Sequence, residues 1–123
     1  MHIKLHVLEQ PLAVCKLKEI SQLDLKGEFL FFCKTDEELS LACPEKDLPA
    51  NTLVCEKGWR GMRIEGMLDF SLIGIISKIS GILADNSIGI FVVSTYNTDY
   101  ILVKEEQFSA AKKVLSEKGY IFE

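Results

Sequence analysis

Apolar residues in the second half of the chain follow two rhythms. Through 62–65 they alternate with charged residues, the two-residue period of a half-buried strand that spans 59–65. Beyond it the period lengthens. Leu72, Ile75, Ile76, Ile79, Ile82 and Leu83 fall three or four apart, the apolar stripe of a helix that starts near 69–71 and runs to Asp85. Another face of this helix carries small residues, Gly74, Ser77, Gly81 and Ala84, which would let a neighbouring element approach closely. Asn86 and Ser87 end it. Residues 88–94 are apolar enough to predict a strand covered on both faces. Tyr96, Asn97, Thr98 and Asp99 supply turn chemistry, and 100–103 return as the partner strand. A second helix opens on Glu105 and Glu106, buries Phe108, Ala111, Val114 and Leu115, carries Lys112, Lys113 and Lys118 late, and stops at Gly119. Residues 120–122 close as a short strand. The order β-α-β-β-α-β is the ferredoxin-like unit.

The first half becomes legible when slid by 60 residues. Phe31 then falls on Phe91, Thr35 on Thr95, Leu41 on Ile101, Cys43 on Val103, Glu45 on Glu105 and Leu48 on Phe108. The matching stretch reads strand (29–34), polar turn (35–38), strand (39–43) and helix start (44–48). Upstream, 12–17 supplies a first strand and 18–23 a stunted first helix. Downstream, Pro49 cuts the second helix short and 52–55 closes as a strand. The N-terminal half is thus an eroded copy of the same unit, with 3–8 as an added strand, and the offset is the mark of an internal repeat. Chance likeness between two apolar hairpins is the competing explanation. The predicted division is a degenerate N-terminal unit over 1–58 and a clearer C-terminal unit over 59–123.

Charge narrows the partners. The 14 basic and 18 acidic residues leave a net charge of −4. Residues 1–60 carry 8 basic against 10 acidic and residues 61–123 carry 6 against 8, so neither half hides the basic face that a nucleic-acid backbone requires. No nucleic acid is expected as a partner. The most apolar stretch, 68–83, is broken by Asp69, Lys78 and several serines and glycines, too short and polar to span a membrane. The N-terminus lacks the apolar run of an export signal, so a cytoplasmic location is expected. The four cysteines (Cys15, Cys33, Cys43 and Cys55) each follow an apolar residue in a strand-like run and read as reduced, buried structural thiols, a disulfide or a metal site being the alternative. No two lie at the close spacing that structural zinc sites favour.

Catalytic signatures are not visible. The sequence has no nucleophile elbow, phosphate-cradling loop, zinc-protease helix or dinucleotide fingerprint, so neither an enzyme nor a cofactor is expected. His2 and His6 share one face of an N-terminal strand and lack further ligands for a metal. The one stretch with a physical argument for binding is Asp69-Phe70-Ser71-Leu72-Ile73-Gly74, which feeds into the longest helix. A helix start exposes unpaired N–H groups and the positive end of the dipole, so it can hold a carboxylate. The ordinary reading of the same residues is a Ser71 N-cap, a dipole-favouring Asp69 and a packing Gly74. Asp99 is likewise a turn residue by default, but its carboxylate could pair with a ligand's amino or guanidinium group.

Three segments carry a resemblance: 38–45 (Glu-Leu-Ser-Leu-Ala-Cys-Pro-Glu), 57–66 (Lys-Gly-Trp-Arg-Gly-Met-Arg-Ile-Glu-Gly) and 68–74 (Leu-Asp-Phe-Ser-Leu-Ile-Gly). With the run 94–103 (Ser-Thr-Tyr-Asn-Thr-Asp-Tyr-Ile-Leu-Val), they resemble the small bacterial tandem ACT-domain proteins over nearly the whole chain. Similar segments occur in the eukaryotic cytosolic arginine sensors and in the regulatory part of aspartate kinases. The resemblance implies an α+β fold of two ACT-like units side by side, with helices on one face of a joined antiparallel sheet. It also implies allosteric binding of an amino acid at an interface between such units, and assembly into a homodimer. The loop from first strand to first helix would hold the ligand's polar end, here Asp69, Phe70, Ser71, Leu72, Ile73 and Gly74. The facing strand would add backbone groups of Ile90, Phe91 and Val92, and Asp99 lies where arginine sensors use an acid. Many ACT domains carry Pro-Gly in the loop, whereas this chain has Ser71 and Ile73-Gly74. The leading expectation is a non-catalytic, amino-acid-binding regulatory module. The alternative is a homodimerising scaffold of the same fold with no retained ligand site.

Overall fold

The computed structural model of the chain describes residues 3–65 and 74–123. Its elements run β1 (Lys4–Val7), β2 (Leu12–Leu17), β3 (Phe31–Lys34), β4 (Leu39–Pro44), a 3₁₀ turn (Glu45–Asp47), β5 (Thr52–Ile64), α1 (Ile75–Asp85), β6 (Phe91–Ser94), β7 (Asp99–Lys104), α2 (Glu105–Glu117) and β8 (Ile121–Phe122). The chain divides into two compact units, one of residues 10–59 and one of residues 1–9 with 60–123. The added N-terminal strand, expected with the first unit, therefore belongs to the second. The cause is its pairing: Leu5, His6 and Val7 lie opposite Ile64, Arg63 and Met62, and Leu5 is fully buried in the core of that unit.

In the N-terminal unit the strands are hydrogen-bonded in the order β3-β4-β2-β5, and each pair is antiparallel. Numbered within the unit this is second, third, first, fourth, the order of a ferredoxin-like sheet. The helical stretches are where this unit departs from that pattern. Residues 18–23, expected as a stunted helix, form turns, and the second helix has shrunk to the 3₁₀ turn before Pro49. Cys15, Leu17, Leu41 and Cys43 form the core, with Leu23, Leu30, Phe32, Leu39, Leu48 and Cys55 packed on it. Cys33 departs from expectation. It is exposed, because it alternates with Phe32 on β3, which among the described residues is an edge strand paired with β4.

Residues 52–55 and 59–65, expected as separate strands, are one strand. Its 52–59 part pairs with β2 and its 62–64 part with β1. A bulge marks the boundary: Leu12 lies opposite Trp59 while Val14 lies opposite Glu56, so β5 carries one extra residue. Gly58 occupies that bulge at φ +79°, a left-handed conformation that glycine adopts without a side-chain penalty. Its N–H donates to Glu45 Oε2 at 2.8 Å, so the bulged amide is satisfied by the 3₁₀ turn.

In the C-terminal unit β6 pairs with β7, β7 with β5, β5 with β1, and β1 with β8. The β1–β8 pair is parallel, so β1 lies between the first and fourth strands of the unit. Met62, Ile64, Ile101 and Val103 meet Ile79, Leu83, Ala111 and Leu115 of the two helices in one core. Both helices end as the sequence predicts. Ile88 N–H bonds to Leu83 O and Ser87 N–H to Ala84 O, and Tyr120 and Gly119 do the same with Leu115 and Ser116, the paired bonds of a Schellman closure. Glu105 and Glu106 stand in the first turn of α2, but its last turn holds no basic residue, because Lys118 is the C-cap. The strand expected over 88–94 is only β6. Ile88 is core, while Val92 is 38 % exposed, because β6 is an edge strand and is not covered on both faces. Ser77, Gly81 and Ala84 of the small-residue face are exposed.

The 60-residue offset is visible in the hydrogen bonds. Phe31, Phe32, Cys33 and Lys34 lie opposite Ala42, Leu41, Ser40 and Leu39, and Phe91, Val92, Val93 and Ser94 lie opposite Leu102, Ile101, Tyr100 and Asp99. Both hairpins close on a threonine: Thr35 N–H bonds to Glu38 O at 2.9 Å, and Thr95 N–H to Thr98 O at 2.8 Å. Each threonine hydroxyl also accepts from the amide three residues on, at 3.1 Å from Glu38 and 3.2 Å from Thr98.

Candidate functional site

The site read from the sequence lies wholly in the C-terminal unit. Asp69, Phe70, Ser71, Leu72 and Ile73 fall outside the described residues, but α1 opens at Ile75, later than expected, and its N-cap is not Ser71. Gly74 is described. It is the N-cap of α1, held at φ +87°, and its carbonyl accepts the first helical bond, from Lys78 N–H at 3.0 Å. A side chain there would meet no atom within 4 Å among the described residues. Glycine at this point is therefore a requirement of the backbone rather than of packing.

Asp99, expected in the turn, is the first residue of β7, half-buried and opposite Ser94. What places it is the residue before it. Thr98 is 8 % exposed, and its hydroxyl donates to the carbonyl of Ile64 at 2.6 Å. Ile64 is the last residue of β5, just ahead of the segment that leads to α1. The β6–β7 turn is thus tied to the origin of the strand-to-helix connection. Sequence reasoning took Thr98 for turn polarity alone. The signal available was the Thr95/Thr98 pair, in which one hydroxyl closes the turn and leaves the other free to reach outward.

Strand alternation sorts the other predicted residues. Val92 lies opposite Ile101 and Ser94 opposite Asp99, so Val92 and Asp99 share the face of the sheet on which Ile101 joins the helices. Ile90 packs against the core on that side. Phe91 lies opposite Leu102 and takes the other face. The structure therefore sets Ile90, Val92 and Asp99 on one side of the sheet and Phe91 on the other.

That other face holds a polar cluster the sequence reading left out. Arg63 donates from Nη2 to Glu65 Oε1 at 2.8 Å, and His6 Nδ1 stands 3.9 Å from the same oxygen. The Glu65 bond, helped by one to Tyr100 and opposed by burial, holds the Arg63 guanidinium charged beyond its ordinary range. Alternating Arg63 and Glu65 on a strand, with His6 on the neighbouring one, was the available signal. On the helix side Arg60 lies 4.6 Å over the Phe108 ring and bonds Glu105 at 3.3 Å, which pins the start of α2 to β5.

Chemically, these parts offer a fixed carboxylate, a glycine-initiated helix and a strand edge. Among the described residues no group of three or more His, Cys, Asp or Glu is placed to hold a metal ion. No helix among them is long and apolar enough to cross a membrane.

Comparison with known proteins supports the same unit. The chain is 32% identical over 78 residues to the cytosolic arginine sensor for mTORC1 subunit 1 of Rattus norvegicus. That match takes in 60% of this chain and only 24% of the relative, so the chain spans about a quarter of the sensor's length. A crystal structure of an Agobacterium tumefaciens protein superposes with TM-score 0.86 at 28% identity, over 100% of this chain and 93% of the other. The regulatory subunit of aspartate kinase from Thermus thermophilus shares the fold at TM-score 0.63 and 7% identity, over 92% and 95% of the two chains. The ACT domain family model matches residues 54–117, which take in most of β5, both helices and the β6–β7 hairpin. The chain belongs to the ACT domain family.

Proposed function

We propose that this chain is a non-catalytic regulatory module that binds an amino acid at its C-terminal ACT unit, where a second copy of the chain closes the site. The observation that carries the reading is the Thr98–Ile64 hydrogen bond. It holds Asp99 beside the strand end from which 66–73 lead to the Gly74 helix start. A ligand's carboxylate would meet the helix N–H groups, and Asp99 would take its cationic end. The rat relative is by name an arginine sensor, and a guanidinium complements a carboxylate in a bidentate pair, so arginine heads the candidates. Loop residues Asp69, Phe70, Ser71, Leu72 and Ile73 belong to this proposal, as do the backbone groups of Ile90, Phe91 and Val92.

A thermal-shift screen of the common amino acids, followed by calorimetry, tests it. A specific ligand at one hundred times its dissociation constant stabilises the fold by about 2.7 kcal/mol. No response to any of them would overturn the amino-acid reading. The scaffold reading draws on the uncharged edge strand β6, residues 91–94, and the exposed Ser77, Gly81 and Ala84. Light scattering separates the two: an assembly indifferent to every ligand favours the scaffold.

A further inference from the structure

Three of the four cysteines converge in the N-terminal unit, which does not carry the proposed ligand site. Cys15 of β2 and Cys55 of β5 are direct cross-strand partners. Cys43 of β4 lies opposite Ala13, one diagonal step from Cys15, which itself faces Leu41. All three belong to the same apolar cluster. Direct antiparallel partners have Cα atoms about 4.5–5.5 Å apart, inside the range of about 4.4–6.8 Å that a disulfide spans. A diagonal pair is farther apart, at about 7–8 Å. Geometry therefore selects one pair out of three.

We infer that Cys15 and Cys55 form a reversible cross-strand disulfide when the chain meets a small-molecule disulfide. Exposure sets the order of events. Cys15 is 5 % exposed and Cys55 is half-buried, so the Cys55 thiolate attacks a sulfur of the small disulfide and expels one thiolate. Cys15 then loses its proton and attacks Cys55 Sγ, expelling the second. Two protein thiols are oxidised, one small disulfide is reduced to two thiols, and the protons pass to the departing thiolates. Burial, with Cys55 beside it, pushes the Cys15 thiol up to about 11. The second step therefore quickens about tenfold per pH unit between 7 and 9, as its thiolate fraction rises. Cys33, exposed on β3, takes no part.

The test uses the full chain carrying Cys33→Ser, incubated with oxidised glutathione under native conditions. Two of the three remaining thiols should disappear without retained glutathione, and non-reducing peptide mapping should join the peptides bearing residues 15 and 55. Cys43→Ser should leave that link intact. Cys55→Ser, or Cys55→Ala if the serine variant does not fold by circular dichroism, should abolish it. A stable mixed disulfide at Cys55 with Cys15 still reduced would overturn the inference. So would a link to Cys43, or three intact thiols in a natively folded chain.

Discussion

The hydroxyl of Thr98 donates to the backbone carbonyl of Ile64 across 34 residues of sequence, at 2.6 Å, in a buried setting. The equivalent position of the other unit, 60 residues earlier, is Glu38, which is exposed and has no such reach. The two hairpins are alike in register and in their threonine-closed turns. They differ where one of them serves the candidate site. Thr98→Val removes the donor and leaves the Ile64 carbonyl unpartnered by it, at a cost of about 1–3 kcal/mol. Glu38→Ala should stay within about 0.5 kcal/mol, the usual range for a surface change. Urea unfolding of both variants measures the contrast, and equal losses would show that the bond does not anchor the turn.

Gly58 and Gly81 test backbone against side-chain effects with the same substitution. Neither has an atom within 4 Å of an added Cβ. Gly58 sits at φ +79° in the β5 bulge, so Gly58→Ala should cost about 1–2 kcal/mol of left-handed strain. Gly81 lies exposed inside α1 with ordinary backbone angles, so Gly81→Ala should stabilise by about 0.4–1 kcal/mol. Opposite signs in chemical unfolding are the expected result.

Much of this fold was legible because its elements are locally consistent. The stripe through Ile75, Ile79 and Leu83, the closing residues Ser87 and Gly119, and the turn at 95–98 each carry their own signal. The 60-residue offset read from the sequence has its counterpart in the matching register of the two hairpins. What escaped was long-range. Nothing near Lys4 or Val7 says that this strand pairs with β5 and β8 rather than with its sequence neighbours, because a strand's partner is chosen by the sheet. The merging of 52–55 with 59–64 was hidden by Gly58, which reads as a break and acts as a bulge. At the candidate site, Asp99 was proposed on its chemistry. Thr98, which places it, was missed because its acceptor is a backbone carbonyl that carries no sequence signature.

Alkaline pH should weaken the N-terminal unit. Burial pushes Cys15 up to about 11 and, with Cys15, Asp47 and Cys55 nearby, Cys43 up to about 12. Both pKa values are raised above the ordinary 9.0, so the folded state holds its protons more tightly than the unfolded chain. Their contribution is fully present below pH 9 and is lost as pH rises from 9 through 11 and 12. The slope is at most about 1.4 kcal/mol per pH unit for each thiol. Denaturant midpoints between pH 8 and 11, in reducing buffer, should fall more steeply for the natural chain than for Cys15→Ala/Cys43→Ala. Parallel slopes would mean that these thiols do not titrate with unfolding.

Asp99 gives the sharpest test of the proposed binding site. It is half-buried at the first position of β7, and its neighbour Thr98 rather than its own side chain ties the turn to β5. Asp99→Asn keeps size and hydrogen-bonding capacity and removes the charge, so the melting temperature of the free chain should hardly change. Binding of a cationic amino acid should weaken by about ten- to a hundredfold, the loss of one charge-assisted contact of about 1.5–3 kcal/mol. A neutral amino acid that reaches only the helix start should lose little. Calorimetry of both ligand types against both chains reads this directly. Equal weakening of neutral and cationic ligands would assign Asp99 to the architecture of the turn, and an unchanged affinity for both would remove it from the site.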